Sequence, residues 1–120
     1  MNNTLKEGET LFADGKIDEA EKCFLSLAEN DSDCKEAYNN LGVIAFQKDE
    51  KVKAIDYFTR SLEIDPLNRD TIVNYTNLLR SLDQLPIVIP LLEKVVELNP
   101  EDKEIKQLLD DIRHINPTNA

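Results

Sequence analysis

Residues Lys35 to Asn68 read KEAYNNLGVIAFQKDEKVKAIDYFTRSLEIDPLN, and this stretch decides the fold. In its first half Tyr38, Leu41, Gly42 and Ala45 fall at i, i+3, i+4 and i+7, the spacing that lines one face of a helix. In its second half Ala54, Phe58, Ser61 and Leu62 do the same. The polar segment Gln47-Lys48-Asp49-Glu50-Lys51 between them is short enough only for a tight helix–helix turn. Asp65-Pro66 closes the unit, because a residue before proline is pushed out of the helical region. Pro66 is then expected in the first turn of the next helix, where its missing N–H costs nothing.

Working outward, a shift of 34 residues superposes Gly8 on Gly42 and Thr76, Ala20 on Ala54 and Val88, and Phe24 on Phe58 and Leu92. It also carries Leu11 to Ala45 and Leu79, Phe12 to Phe46 and Arg80, and Ser32 to Pro66 and Pro100. Small residues land on small ones and bulky apolar on bulky apolar, the signature of a helix-turn-helix repeat array. At these residues the sequence resembles the tetratricopeptide repeat family. The resemblance covers three copies, residues 1–34, 35–68 and 69–102, about five-sixths of the chain. It implies an all-α fold, a right-handed superhelical α-solenoid, with residues 1–120 forming a single domain.

In the first copy, helices are expected over about Asn2 to Ala13 and Asp18 to Glu29, with Asp18 or a neighbour as the cap and a turn at Asp14-Gly15. Asp49 and Asp83 replace Gly15 in the later copies; aspartate also visits the left-handed region, at some cost. The third copy departs most. Thr76 and Val88 replace the small pair, which is expected to separate or tilt its helices, and Leu85-Pro86-Ile87-Val88-Ile89-Pro90 predicts a late or bent start to its second helix. Asn99-Pro100-Glu101-Asp102 then reads as a helix start with a capping asparagine and proline at the first position. Ile105, Leu108, Leu109 and Ile112 share one face of a seventh helix over about residues 100–115, read as a cap on the array, with a stop at Asn116-Pro117 and a loose tail over 116–120.

The net charge of −10 argues against a nucleic-acid or anionic-membrane partner, since both need clustered Lys and Arg. Residues 1–34 carry nine acids against three bases, so the excess is concentrated early in the chain. It reads first as a solubilising surface and second as an attraction for a basic partner. The N-terminal residues lack the apolar core of a signal peptide and no apolar run is long enough to span a bilayer, so the expected compartment is the cytoplasm. Cys23 and Cys34 make neither a disulfide framework nor a metal pattern, and Asp110, Asp111 and His114 read more readily as an acid-rich last turn than as a ligand set. There is no phosphate loop, nucleophile elbow, HExxH or CxxC, and hence no expected catalytic centre and no expected cofactor.

What a repeat array offers instead is a concave wall made by the first helix of each copy. The expected wall residues are Leu5, Glu9 and Phe12, then Glu36, Asn39, Asn40, Val43 and Phe46, then Asp70, Val73, Asn74, Asn77 and Arg80. Its amides both donate and accept, which suits the backbone of an extended peptide. The resemblance implies the same use, since proteins of this family typically bind peptide segments or partner helices there. One subclass grips the carboxylate ends of chaperone tails with bases around paired asparagines. Asn40 and Asn74 match asparagine-tolerant places, but Leu5, Glu36 and Asp70 stand where that grip needs bases, so it is not expected here. Acids at Glu9, Glu36 and Asp70 favour instead a ligand with Lys or Arg flanking an apolar anchor. The alternative is a structural role, by self-association through Leu5, Leu11 and Phe12 or by tethering an adjacent enzyme domain.

Overall fold

A computed structural model of the protein describes residues 4–115. The elements are α1 (Leu5–Ala13), α2 (Ile17–Asn30), α3 (Lys35–Gln47), α4 (Lys51–Ile64), α5 (Arg69–Ser81), a 3-10 turn (Leu85–Val88), α6 (Ile89–Leu98) and α7 (Lys103–Ile115). No strand occurs among the described residues, in keeping with the all-α expectation. The expected helix start at Asn2 and the stop at Asn116-Pro117 lie outside the described residues. The chain divides into two compact units, Met1–Asn74 and Tyr75–Ala120.

In the first unit α1 packs on α2, α3 on α4, and α2 on α3. Ala20, Phe24 and Ala28 of α2 and Ala37, Leu41 and Ile44 of α3 form one buried cluster, with Leu5, Leu11, Phe12 and Tyr38 packed partly against it. The close approach within each helix pair has a single cause. A β-carbon on Gly8 would lie 2.5 Å from Cε1 of Phe24, and one on Gly42 would lie 2.5 Å from Cδ1 of Phe58. Both rings are fully buried, so neither can swing aside. In the second unit glycine becomes Thr76 and, in the same register, phenylalanine becomes the smaller Leu92; both are buried, at 2% and 0% exposure.

The turns repeat as closely as the packing. Gly15, Asp49 and Asp83 all take the left-handed conformation, with φ of 81°, 61° and 56°. After each, a backbone N–H reaches back to the carbonyl five residues earlier: Lys16 to Leu11 at 2.9 Å, Glu50 to Ala45 at 2.8 Å and Gln84 to Leu79 at 2.7 Å. These bonds satisfy carbonyls that the helix end would leave unpaired, the geometry for which a left-handed residue is needed.

Helix starts depart from the sequence reading in three places. Pro66 and Pro100 do not enter the following helices; each sits in a turn ahead of them. Asn68 N–H donates to Asp65 O and Asp102 N–H to Asn99 O, both at 3.1 Å, closing four-residue turns with proline at the second position, which its fixed φ suits. The last residue of each turn then caps the helix: Asn68 Oδ1 accepts from Thr71 N–H and Asp102 Oδ1 from Ile105 N–H, each at 3.1 Å. Asp18 does not cap α2. Lys16 holds that position with no side-chain bond, and the Asp18 carboxylate instead accepts from Lys48 Nζ at 2.8 Å.

In the second unit the late start of α6 takes the form of the 3-10 turn, and Pro90 falls in the first turn of α6, where proline's lack of an N–H costs no helix bond. Val88 lies in that 3-10 turn and is buried. α7 packs on α6, burying Ile105, Leu109 and Ile112, with Arg113 paired to Glu93.

Two substitutions test this reading. Gly42→Ala would ordinarily gain about 1 kcal/mol of helix propensity, but overlap with the Phe58 ring outweighs it, for an expected net loss of about 1–2 kcal/mol in denaturant unfolding. Adding Phe58→Leu should restore part of that loss. Asp49→Gly removes a left-handed side chain at the cost of a surface contact to Lys51 and is expected to gain about 0.5–1 kcal/mol. An unchanged or lowered unfolding midpoint would count against the strain at Asp49.

Candidate functional site

The expected wall of the first unit depends on how α3 and the first turns of α5 are held together. Lys35 opens α3, and its Nζ meets the Asp65 carboxylate at 2.6 Å, at the far end of α4. Ser61 and Thr71 are both buried. Ser61 Oγ donates to the Lys35 carbonyl at 2.9 Å and lies 2.8 Å from Thr71 Oγ1. Thr71 Oγ1 also lies 3.2 Å from Asn68 Oδ1, to which it donates, so its hydroxyl bridges Ser61 and Asn68. Asn68 Oδ1 remains satisfied by Thr71 N–H. The chain Asn68, Thr71, Ser61, Lys35 thus ties the start of α5 to the start of α3 through α4.

This framework gathers most of the expected wall into two open cavities. The first, about 380 Å³, is lined by Glu9, Phe12 and Ala13 of α1 and Asn40 of α3. The second, about 310 Å³, is lined by Asn39, Asn40 and Val43 of α3 and by Arg69, Asp70, Val73 and Asn74 of α5. Asn40 is common to both. Val73 is 43% exposed, an apolar side chain presented to solvent within the second cavity. A separate opening of about 520 Å³ is lined by Thr4, Lys6, Glu7, Thr10 and Leu11, none of them an expected wall residue.

Other expected residues are not brought into these cavities. Leu5 packs partly against the core, and Glu36 and Phe46 are half-buried without lining either cavity. Asn77 and Arg80 are exposed on the part of α5 that belongs to the second unit, where Arg80 Nη1 donates to Asn77 Oδ1 at 2.7 Å. The sequence reading missed Arg69. The 34-residue register aligns it with Lys35, off the expected wall, yet it lines the second cavity beside Asp70 and makes that end mixed in charge. Its place as the first residue of α5, with a side chain long enough to reach sideways, was the available signal.

The amides are not all at liberty. Asn74 Nδ2 donates to Asn39 Oδ1 at 3.1 Å, and Asn40 Nδ2 donates to the Glu36 carbonyl of its own helix at 2.9 Å. The pairing orients both partners: Asn39 keeps its donors and Asn74 its oxygen for a ligand. Among the described residues no three His, Cys, Asp or Glu side chains are grouped to hold a metal ion. Both cysteines are free thiols, and burial pushes each thiol up from its ordinary pKa, away from the reactive thiolate. No described helix is long and apolar enough to cross a membrane.

Residues 5–69 match the family profile described as tetratricopeptide repeat. The chain belongs to that family. Among solved structures this tetratricopeptide repeat chain is similar to the crystal structure of MamA, at 24% identity and a TM-score of 0.74, over 94% of this chain and 66% of that one. It is similar to YrrB, described as a TPR protein with an unusual peptide-binding site, at 24% identity and a TM-score of 0.71, over 91% of this chain and 56% of that one. It is also similar to the first TPR of Spaghetti (RPAP3) bound to the HSP90 peptide SRMEEVD, at 20% identity and a TM-score of 0.73, over 93% and 91% of the two chains. The chain thus spans about two-thirds of MamA and just over half of YrrB. At these identities the likeness establishes the α-solenoid fold alone. No curated protein matches the chain.

The Lys35–Asp65 pair gives the framework a pH signature. The Lys35 ammonium bonded to Asp65 holds that carboxyl below its ordinary pKa against the opposing effect of burial, and the same bond raises Lys35. The Asp65 contribution is therefore complete above the ordinary carboxylate range and is lost as pH falls through the lowered value; that of Lys35 is complete below the ordinary lysine range and is lost as pH rises through the raised one. Asp65→Asn should be less stable than the parent at neutral pH and converge with it in acid. A gap in unfolding midpoint that stayed constant from neutral to acid pH would assign the loss to something other than the ion pair.

Proposed function

We propose that the chain is a non-catalytic protein-interaction module that takes a peptide segment of a partner protein across the α3–α5 face of its first unit. The observation that carries this reading is the second cavity, where apolar Val43 and Val73 lie among the amides of Asn39, Asn40 and Asn74. Apolar side chains supply a place for an anchor residue, and pre-oriented amides supply donors and acceptors to a backbone of any sequence. The peptide-binding descriptions of YrrB and of the Spaghetti (RPAP3) repeat belong to those proteins; we extend the mode, not the ligand, to this chain. An acidic tail such as SRMEEVD would meet Glu9 in the first cavity and Asp70 in the second, where Arg69 is the one base, so its grip is not transferred. A segment carrying Lys or Arg beside an apolar anchor matches the wall better. On this reading the three copies and α7 act as one binding domain in the cytoplasm, whether alone or within a longer protein.

A second reading, self-association, is favoured by the opening along α1 that includes Leu11. Light scattering over a concentration series separates the two: a strict monomer at high concentration removes it. For the leading reading, peptides selected against the parent protein from a displayed library should bind at least about tenfold more weakly to Val73→Asp and to the pair Asn39→Ala, Asn74→Ala, with helix content unchanged by circular dichroism. If every selected peptide binds these variants as it binds the parent, the α3–α5 face is not the binding surface.

A further inference from the structure

The first cavity has a chemistry of its own. It is lined by one carboxylate (Glu9), one aromatic ring (Phe12), one methyl (Ala13) and one amide (Asn40), with no base among them. Glu9 is exposed, and Phe12 is half-buried, packed in part against the core cluster. Asn40 gives one of its two Nδ2 protons to the Glu36 carbonyl at 2.9 Å, which fixes the amide on its own helix and keeps Oδ1 as an acceptor. The one charged group lining the cavity is the Glu9 carboxylate, an acceptor.

Three kinds of side chain compete for such a cavity. A carboxylate is repelled by Glu9 and finds no base. A purely apolar side chain would strip water from the Glu9 carboxylate without replacing its hydrogen bonds, which is unfavourable. A lysine or arginine meets every group: its aliphatic stem lies along the Phe12 ring and Ala13, and its charged head reaches Glu9 and Asn40 Oδ1 as donor to acceptor. The ring adds cation–π attraction.

The neighbouring cavity gives this site a companion. Asn40 is shared between the two, so their occupants are adjacent along the wall. In an extended chain residues i and i+2 point to one side, about 6.5–7 Å apart. We infer that the Glu9–Phe12–Asn40 cavity is a receptor site for a lysine or arginine side chain of the bound segment, with the apolar anchor two residues away in the Val43–Val73 cavity. The inference rests on the peptide-binding reading above.

The test uses the full chain and nine-residue labelled peptides with a Lys-Xaa-Leu or a Leu-Xaa-Lys core, each with a twin in which norleucine replaces lysine. Norleucine keeps most of the stem and removes the charge. By fluorescence anisotropy, one lysine order should bind roughly three- to tenfold more tightly than its norleucine twin, and Glu9→Gln should abolish that difference by weakening the lysine peptide without weakening the twin. Phe12→Leu should reduce the difference as well. Equal binding by lysine and norleucine peptides, or an equal loss for both on Glu9→Gln, overturns the receptor site. Val73→Asp keeps the two readings apart: it should weaken both twins. If it does so while the twins bind alike, the cation site falls and the groove stands. If no peptide binds, or Val73→Asp changes nothing, the groove reading falls and the cation site falls with it.

Discussion

The contact on which the first unit depends is a phenylalanine ring set against a glycine. Phe24 occupies the space a side chain on Gly8 would fill, and Phe58 does the same at Gly42. This brings two helix backbones within a side chain's thickness and buries both rings completely. Burial of an aromatic side chain stabilises by roughly 2–3 kcal/mol, well above the ~1 kcal/mol that glycine costs in a helix interior. The exchange is favourable and can be repeated every 34 residues. At the corresponding positions of the second unit Thr76 and Leu92 are both buried.

Helix pairs alone would not place a binding surface. The wall of the first unit depends on polar fastening between the start of α3 and the start of α5, through Ser61, Thr71, Asn68 and the Lys35–Asp65 pair. Buried hydroxyls are costly unless paired, and this chain pairs them with no buried side-chain polar atom left over among the described residues. The result holds Asn39 within reach of Asn74, so that a hydrogen bond between α3 and α5 orients both amides. Packing sets how close the helices come, and the hydroxyl chain sets their register.

Much of this was legible in the residues. The period, the helix pairs, the left-handed turns at Gly15, Asp49 and Asp83 and the late start of α6 all follow from local rules, in which spacing and backbone preference act over a few residues. The helix starts were less legible. Pro66 and Pro100 suit either the first helical turn or the second position of a preceding turn; the choice fell to the residue two positions later, Asn68 or Asp102, whose side chain caps once the turn has closed. Asp18 looked like a cap because it stands at a helix start, but α2 begins at Ile17, which puts Asp18 inside the first turn, where its carboxylate pairs with Lys48.

By itself the sequence determined an all-α repeat chain with small and bulky apolar residues in a 34-residue register, an acidic surface and a wall bearing asparagines, because each of these depends on composition or on spacing along the chain. Only the tertiary structure decided how that wall divides. It joined Glu9 and Phe12 to Asn40, joined Val43 to Val73, drew in Arg69, turned Asn40 back on its own helix and left Leu5 packed toward the core. The reason is distance. Asn39 and Asn74 are 35 residues apart in the chain but meet at 3.1 Å, and a contact of that kind is set by how three helices are fastened together, which no local rule encodes.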